Sequence, residues 1–248
     1  MNEARNSLDQ DQLVRKLTSL IDLSDEEKKA LRELPATIRS FDADLDVVRE
    51  RERPTTCTVV LAGFLCRYKL LPDGKRQIMG FYIPGDLPDL QSLYLEVMDH
   101  SLGTLVPSTV ALIPHESFRA IMRRHDNLAA ALWRNILVDA ATFRECMVGL
   151  GRRSARGRIA HLLCELLVRS RAMGLTTDRS YELPITQAEL GDALGLSTVH
   201  VNRVLQELRS EKLIILRGGL LSIPDWENLK EAGEFDPTYL HLKRQVLP

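Results

Sequence analysis

The apolar and polar positions of the chain follow different patterns in succession. Residues 7–34 show helical spacing, with Ala30, Leu31 and Leu34 following the S-x-x-E capping pattern of residues 24–27. Between about 38 and 118, short apolar runs rich in β-forming residues alternate with turn signals such as PDGKR and PGD. We therefore predict an N-terminal helical region followed by a small antiparallel β-sandwich or barrel.

A helical pattern returns from Glu116 to Leu150. It is long for a surface helix and is typical of a helix that packs lengthwise against a second copy; a core helix of the same domain is the alternative. A further helix is expected over about 155–173, after the basic run RRSARGR. The apolar positions expected at a dimer interface are Leu128, Leu132, Ile136, Phe143, Met147 and Leu150.

Two short amphipathic segments separated by a glycine occupy residues 185–214, ITQAELGDALGLSTVHVNRVLQELRSEKLI. Thr186 and Glu189 form a capping box for the first helix. Gly195 supplies the turn with a positive φ, and Ser197 caps the second helix. This spacing predicts a helix-turn-helix. The apolar stripe of the second helix, which faces the core, consists of Val201, Val204, Leu205 and Leu208.

The other side chains of the second helix have no core to pack against. Because a helix-turn-helix places the start of its second helix in the major groove, double-stranded DNA is the predicted partner. Residues 213–223, LIILRGGLLSI, are expected to form a two-stranded wing. The segment 150–221 carries 11 Lys+Arg against 7 Asp+Glu in a chain of net charge −1, as expected of a local phosphate-facing surface. The predicted DNA-facing residues of this helix are Thr198, Val199, His200, Asn202 and Arg203.

The composition of the chain excludes several classes of function. Apolar residues make up 44% of the chain, enough for a core, whereas 5% aromatic residues are too few for stacking on single-stranded nucleic acid. No apolar run reaches the roughly 18 residues of a transmembrane helix, and the polar start MNEARNSLDQDQ is not a signal peptide. Cytoplasmic residence without a membrane partner is expected. The cysteines are expected to be buried small residues, with a redox-active Cys57–Cys66 pair as the alternative; they are Cys57, Cys66, Cys146 and Cys164.

Three stretches resemble the Crp/Fnr family of transcription regulators. GFLCRYKLLPDGKRQIMGFYIPGDLPDLQSL resembles the β-roll sensor domain, LGRRSARGRIAHLLCELL the link from dimer helix to DNA-binding domain, and TQAELGDALGLSTVHVNRVLQELRSEKLI the helix-turn-helix signature. The resemblance implies an α+β fold with an N-terminal double-stranded β-helix (jelly-roll) sensor domain at 1–118 and a dimerisation helix at 119–150. A winged helix-turn-helix at 151–225 and a C-terminal extension at 226–248 follow. It also implies a homodimer on a palindromic operator, with DNA affinity set by the sensor.

The resemblance assigns roles in DNA reading. Arg203 matches the family's base-reading arginine, which pairs bidentately with guanine; a salt bridge to Glu207 is the alternative without DNA. Where many relatives carry a base-reading glutamate, this chain has Val199, which can contact a thymine methyl but cannot accept a hydrogen bond from cytosine. A half-site different from those of the cyclic-AMP and fumarate–nitrate regulators is therefore expected. Further candidates for base or phosphate contacts are Thr186, Gln187, Ser197, Thr198, His200, Asn202 and, on the wing, Arg217.

The predicted sensor domain lacks the residues of the family's familiar effector sites. A cyclic-nucleotide site needs a carboxylate and an arginine beside a Ser or Thr, but no arginine occurs between Arg76 and Arg119. The N-terminal cysteine cluster of the iron–sulfur relatives is absent, because the first cysteine is Cys57. We therefore predict no cofactor and no metal: cyclic AMP and an iron–sulfur cluster are disfavoured, and so is haem, whose candidate ligands are His100 and His115. The candidates for effector contacts are Asp89, His100 and Ser101.

Two further classes of function are considered. A cupin-type enzyme would need a His-x-His metal motif, which is absent, so no catalytic residue is predicted and the protein is expected not to be an enzyme. The other alternative is an effector- or redox-sensing module of the same fold whose DNA binding requires an unidentified ligand or partner. If the protein is an activator, RNA polymerase is an expected partner.

Overall fold

The computed structural model describes residues 3–243, with side chains from Asp11 onward. The chain forms two compact units: residues up to 69 together with 80–139, and residues 70–79 together with 140 onward. Among the helices of this described part, none is long and apolar enough to cross a bilayer.

The first unit begins with two helices, α1 (Glu3–Leu20) and α2 (Asp25–Arg32). The capping box predicted at Ser24 is confirmed, because the Ser24 hydroxyl accepts from the Glu27 N–H and the Glu27 carboxylate accepts from the Ser24 N–H. This cap fixes the start of α2, so that Leu31 is fully buried.

Seven strands follow: β1 (Thr37–Phe41), β2 (Asp46–Val48), β3 (Thr56–Ala62), β4 (Leu65–Leu70), β5 (Arg76–Tyr82), β6 (Ser101–Thr104) and β7 (Ser108–Pro114). They form two sheets, with strand orders β1–β7–β3 and β2–β6–β4–β5. Strand β3 is buried on both faces, because successive side chains of a strand point to opposite sides. Val59 joins a core shared with the helices, and Val60 joins a second core with Leu65 and Leu102. The short strands predicted between residues 38 and 118 are present.

Two helices close the first unit, where a single helix over residues 116–150 was expected. They are α3 (His115–Arg124) and α4 (Asp126–Arg152). The single-helix prediction is wrong at His125, whose backbone is extended, with φ −135° and ψ 97°. Helix α4 begins at Asp126. This acid lies in the first turn, where the helix dipole favours a negative charge.

The second unit contains the end of α4 and the elements α5 (Ala155–Ala172), β8 (Ser180–Glu182), α6 (Gln187–Leu194), α7 (Thr198–Ser210), β9 (Ile215–Arg217), β10 (Leu220–Ser222) and α8 (Trp226–Ala232). Helix α5 is at the centre of this unit and is buried along most of its length. The sheet order β8–β10–β9 adds a third strand to the wing, which was expected to have two. A short 3-10 helix, Pro237–Leu240, follows α8.

Candidate nucleic-acid interface

The turn between α6 and α7 is built from local interactions that the sequence predicts. Thr186 and Glu189 form the capping box of α6. Gly195 has φ +65°, a conformation that glycine adopts without steric cost. At Gly191, a Cβ atom would lie 2.5 Å from the carbonyl oxygen of Leu196, so glycine is required for the two helices to approach. The angle between α6 and α7 is therefore fixed by backbone contact.

Helix α7 is capped by Ser197, whose hydroxyl accepts from the His200 N–H over 3.3 Å. Its predicted apolar stripe is confirmed as buried: Val201, Val204, Leu205 and Leu208. Burial of this stripe anchors α7 on the core and leaves the opposite face of its first turns open to solvent.

The exposed face of α7 carries the candidate reading residues. Thr198, Asn202 and Arg203 are exposed, His200 is half-buried, and the exposed fraction of Val199 is 81%. Asn202 Nδ2 lies 3.1 Å from Gln187 Oε1 at the start of α6 and donates to it. This hydrogen bond was not predicted; it joins the two helix starts that would face DNA.

Arg217, the candidate DNA contact on the wing, lies at the tip of the hairpin formed by β9 and β10. Arg217 is exposed and pairs in register with Leu220. Gly218 and Gly219, between them, have φ +57° and +81°, which glycine adopts readily in a tight hairpin turn. Thr186, at the start of α6, is exposed as well, so the wing, the α6 start and the α7 start all present solvent-accessible polar groups.

The apolar residues of α4 divide between two faces. The expectation that Leu128 and Leu132 face a second copy is wrong, because both are buried in the core of the first unit and are 0% and 1% exposed. Ile136 packs against the same core, and Leu150 is half-buried. The exposed apolar residues of α4 are Trp133, Leu137, Phe143, Met147 and Val148.

Three members of this exposed set were not predicted. Trp133 and Leu137 lie four residues apart, a helical spacing that was the available signal, and Val148 directly follows Met147. The ring of Tyr94 stacks on Trp133, with centroids 5.3 Å apart and planes at 21°. The exposed apolar surface therefore extends from α4 onto the segment that follows residues 90–93.

The predicted effector residues all have partners inside the first unit. Asp89 is fully buried and accepts from the Thr58 N–H and hydroxyl, both at 2.7 Å. This burial raises the pKa of Asp89 to about 6. His100 Nδ1 lies 2.6 Å from Asp99, and Ser101 Oγ accepts a backbone N–H at 3.0 Å. Asp89 thus serves the internal structure of the β-roll.

An arginine that was not predicted lies inside the first unit. Arg67 Nη1 donates to Asp139 Oδ2 over 2.9 Å, and Nη2 donates to the Pro88 carbonyl. The guanidinium lies 5.2 Å from the Tyr82 ring centroid, and the Tyr82 hydroxyl donates to the same Asp139 carboxylate over 3.1 Å. This largely buried cluster ties β4 and β5 to α4. A charged residue within the apolar run LCRYKL was its sequence signal.

The cysteines are free thiols. Cys57, Cys66 and Cys164 are buried, and Cys146 is half-buried. The Cys57 and Cys66 thiols are not bonded to each other, and the two residues lie on strands of different sheets. Burial raises the pKa of the Cys57 and Cys164 thiols, which disfavours the reactive thiolate. Among the described residues, no group of three or more His, Cys, Asp or Glu side chains is placed to hold a metal ion.

Residues 157–232 match the model of the Crp-like helix-turn-helix domain, and residues 38–125 match that of the cyclic nucleotide-binding domain. The nitrogen fixation regulation protein FixK of Bradyrhizobium diazoefficiens is 31% identical over 186 residues, which cover 73% of this chain and 75% of FixK. The chain belongs to the Crp/Fnr family. The resemblance drawn from the sequence is thereby confirmed, and with it the fold class.

Other Crp/Fnr relatives match over similar lengths. The transcriptional activator protein FnrL of Cereibacter sphaeroides is 27% identical over 218 residues, which cover 85% of this chain and 86% of FnrL. The structure of FixK2 from Bradyrhizobium japonicum aligns with a TM-score of 0.72 at 26% identity, covering 80% of this chain and 98% of FixK2. A Crp/Fnr regulator from Thermus thermophilus shares the fold. It is 18% identical, and its structure aligns with a TM-score of 0.59, covering 80% of this chain and 98% of the Thermus chain.

Proposed function

We propose that this Crp/Fnr regulator is a homodimer that binds an inverted-repeat operator sequence-specifically, with DNA affinity set by its sensor domain. The observation that carries the proposal is the exposed start of α7, where Val199, Asn202 and Arg203 lie opposite a buried stripe. An apolar side chain that is 81% exposed within a polar face gains from contact with a thymine methyl.

The base preference follows from the chemistry of two residues. The Arg203 guanidinium is exposed and has the fork geometry that fits guanine O6 and N7. Val199 has no acceptor, so a cytosine N4–H at the neighbouring base pair would find no partner there. The hydrogen bond from Asn202 to Gln187 holds both amides beside the groove, where the Gln187 NH₂ can donate to a phosphate.

The homodimer is supported by the exposed apolar surface of α4. Trp133, Leu137, Phe143 and Met147 recur along one helix at mostly helical spacing, as in a helix seam. A second copy packed along this seam would cover them. Two recognition helices related by a two-fold axis enter major grooves about 34 Å apart, one turn of DNA.

A cyclic nucleotide does not fit the sensor as its regulator. Arg67 is already engaged by Asp139 and the Pro88 carbonyl, and therefore does not offer its charge to a cyclic phosphate. We infer that the protein holds no resident cofactor and is not an enzyme. FnrL is named a transcriptional activator, which supports activation through contact with RNA polymerase in the cytoplasm.

Selection from randomised duplex DNA with the full-length protein at defined salt tests this proposal, because salt controls phosphate contacts. The expected result is a palindrome with half-sites one turn apart. A single unpaired half-site would overturn the dimer. If no sequence is enriched, the selection is repeated with cell extract: enrichment would then show that DNA binding depends on a ligand or partner, and continued failure would overturn DNA recognition.

A further inference from the structure

The chain beyond the matched helix-turn-helix model packs tightly on α5. The match ends at residue 232, yet Phe235 and Leu240 are only 3% and 2% exposed. A Cβ at Gly233 would lie 2.6 Å from the His161 backbone nitrogen, so the two backbones are in close contact. Residues 233–240, which we call the C-terminal clasp, are therefore part of the second unit.

His161 on α5 joins the clasp at two points. Its Nδ1 lies 3.0 Å from the Gly233 carbonyl, which only accepts, so Nδ1 carries the proton. Its Nε2 lies 3.1 Å from the Tyr239 hydroxyl. Burial, and then the charge of Arg153, lower the pKa of His161, which favours the neutral ring.

The Tyr239 hydroxyl contacts two side chains of α5 and donates its single proton to one of them, Glu165. It lies 2.8 Å from Glu165 Oε2 and also faces the His161 ring, which stacks on the Tyr239 ring at 16°. Burial, and the adjacent Glu165, raise the pKa of Tyr239, so the phenol keeps its proton. Arg169 donates to the other Glu165 oxygen over 2.9 Å. Removing this one hydroxyl therefore breaks both contacts that the Tyr239 side chain makes with polar groups of α5.

The clasp also reaches the junction between α4 and α5. Arg153 lies at that junction with its side chain 9% exposed. It donates to Glu145 of α4 over 2.5 Å, and its Nε lies 3.6 Å from Glu234 of the clasp. A largely buried cation requires opposite charges nearby. Glu145 and Glu234 supply them from the two sides of the junction.

We propose that the C-terminal clasp fixes the end of α4 to the DNA-binding domain, with Tyr239 and Glu234 as positioning residues for the distance between the two recognition helices. The consequence for DNA rests on the proposed function. Neither residue touches DNA in this proposal; they act through Arg153 and α5. A rigid junction makes the dimer selective for the spacing of its half-sites, since helix-turn-helix dimers read that spacing geometrically.

The test measures the affinity of full-length variants for duplexes in which the spacer between half-sites is changed by one or two base pairs. Tyr239→Phe should reduce the preference for the best spacer about fivefold, the effect of about one hydrogen bond. Glu234→Gln removes an ion pair in which Glu234 itself is largely exposed, and should reduce the preference in the same direction but by less. Affinity for an isolated half-site should stay the same in both variants. The controls are Tyr181→Phe, which removes another buried hydroxyl of this unit, and Glu231→Gln on α8.

Hydrogen exchange of residues 145–158 gives a readout that needs no DNA. Tyr239→Phe should speed exchange there, and Tyr181→Phe should not. Unchanged exchange in Tyr239→Phe would overturn the clasp, whatever happens with DNA. Faster exchange with an unchanged spacer preference would overturn its role in spacing. Failure of the wild-type protein to select any DNA would instead overturn the proposed function. The hydrogen-exchange result would then decide alone whether the clasp fixes the junction.

Discussion

The Nε atom of Arg203 lies 3.9 Å from Oε1 of Glu207, one turn later on α7, and both side chains are largely exposed. An exposed pair of this kind contributes about 0.3–0.5 kcal/mol, so the guanidinium is readily released. Bidentate pairing with guanine is worth about 1–3 kcal/mol, and therefore outweighs the ion pair. The ion pair on α7 is therefore not a strong competitor for the base contact proposed for Arg203.

Replacing Arg203 tests its role as a base reader. Arg203→Ala should reduce discrimination at one base pair of each half-site by about 1–3 kcal/mol. Arg203→Lys should lose much of the same discrimination while retaining non-specific affinity, because lysine keeps the charge without the planar fork. Binding to single-substitution operator libraries measures both. Glu207→Ala is the control, and an unchanged base preference in Arg203→Ala would contradict the assignment.

Val199→Glu should change the preference at the neighbouring base pair. A carboxylate in place of the exposed isopropyl group can accept from cytosine N4, so cytosine is favoured and thymine loses its methyl contact. The same library experiment measures the shift, expected at about 1–3 kcal/mol. Gln206→Glu, later on the exposed side of α7, controls for the added negative charge. If the two variants give the same preference, Val199 lies outside the reading face.

Leu137→Glu should dissociate the proposed dimer. Leu137 is 63% exposed in the single chain, and two copies would be buried at the seam. Losing about 1.5–3 kcal/mol per leucine, and burying two carboxylates, should weaken association by more than about 100-fold. Sedimentation at micromolar concentration should then give the 28.1 kDa monomer mass. Leu45→Glu, at a site 47% exposed, is the control. A variant that stays dimeric would place the interface elsewhere.

Asp89 should make the stability of the first unit depend on pH. Burial raises its pKa to about 6 from 3.8, so its contribution is fully present below pH 3.8 and is lost as the pH rises through 6. The free energy of unfolding of the wild type, relative to Asp89→Asn, should fall by about 3 kcal/mol between pH 4 and 7.

Urea unfolding in a Trp226→Phe background checks this prediction, because Trp133 is then the remaining tryptophan and lies in the first unit. The exposed Asp42→Asn variant controls for the loss of a charge. A difference between wild type and Asp89→Asn that stays constant over this pH range would show that Asp89 titrates as an ordinary carboxyl.

The helix-turn-helix was predictable because its determinants are local. The cap at Thr186, the turn at Gly195 and the stripe from Val201 to Leu208 all lie within about 25 residues, and each has one physical reason. The Asn202–Gln187 hydrogen bond was not predicted, since it depends on how closely the two helices approach.

Contacts between residues far apart in the sequence could not be predicted and required the three-dimensional structure. Apolar periodicity on α4 does not say whether a residue meets its own domain or a second copy, so Leu128 was assigned to the interface although α1 and the β-roll cover it. Arg67 and Asp139 are 72 residues apart, and no local pattern brings them together. The clasp likewise joins Tyr239 to His161 across 78 residues.

Because Leu128 and Leu132 belong to the core of their own unit, a single chain already has a complete folded interior. Assembly along α4 would then be a separate equilibrium step between folded subunits, governed by mass action. At low copy number, the amount of dimer rises with the square of the chain concentration. Promoter occupancy would therefore change more than proportionally with synthesis and degradation of the regulator, without any ligand.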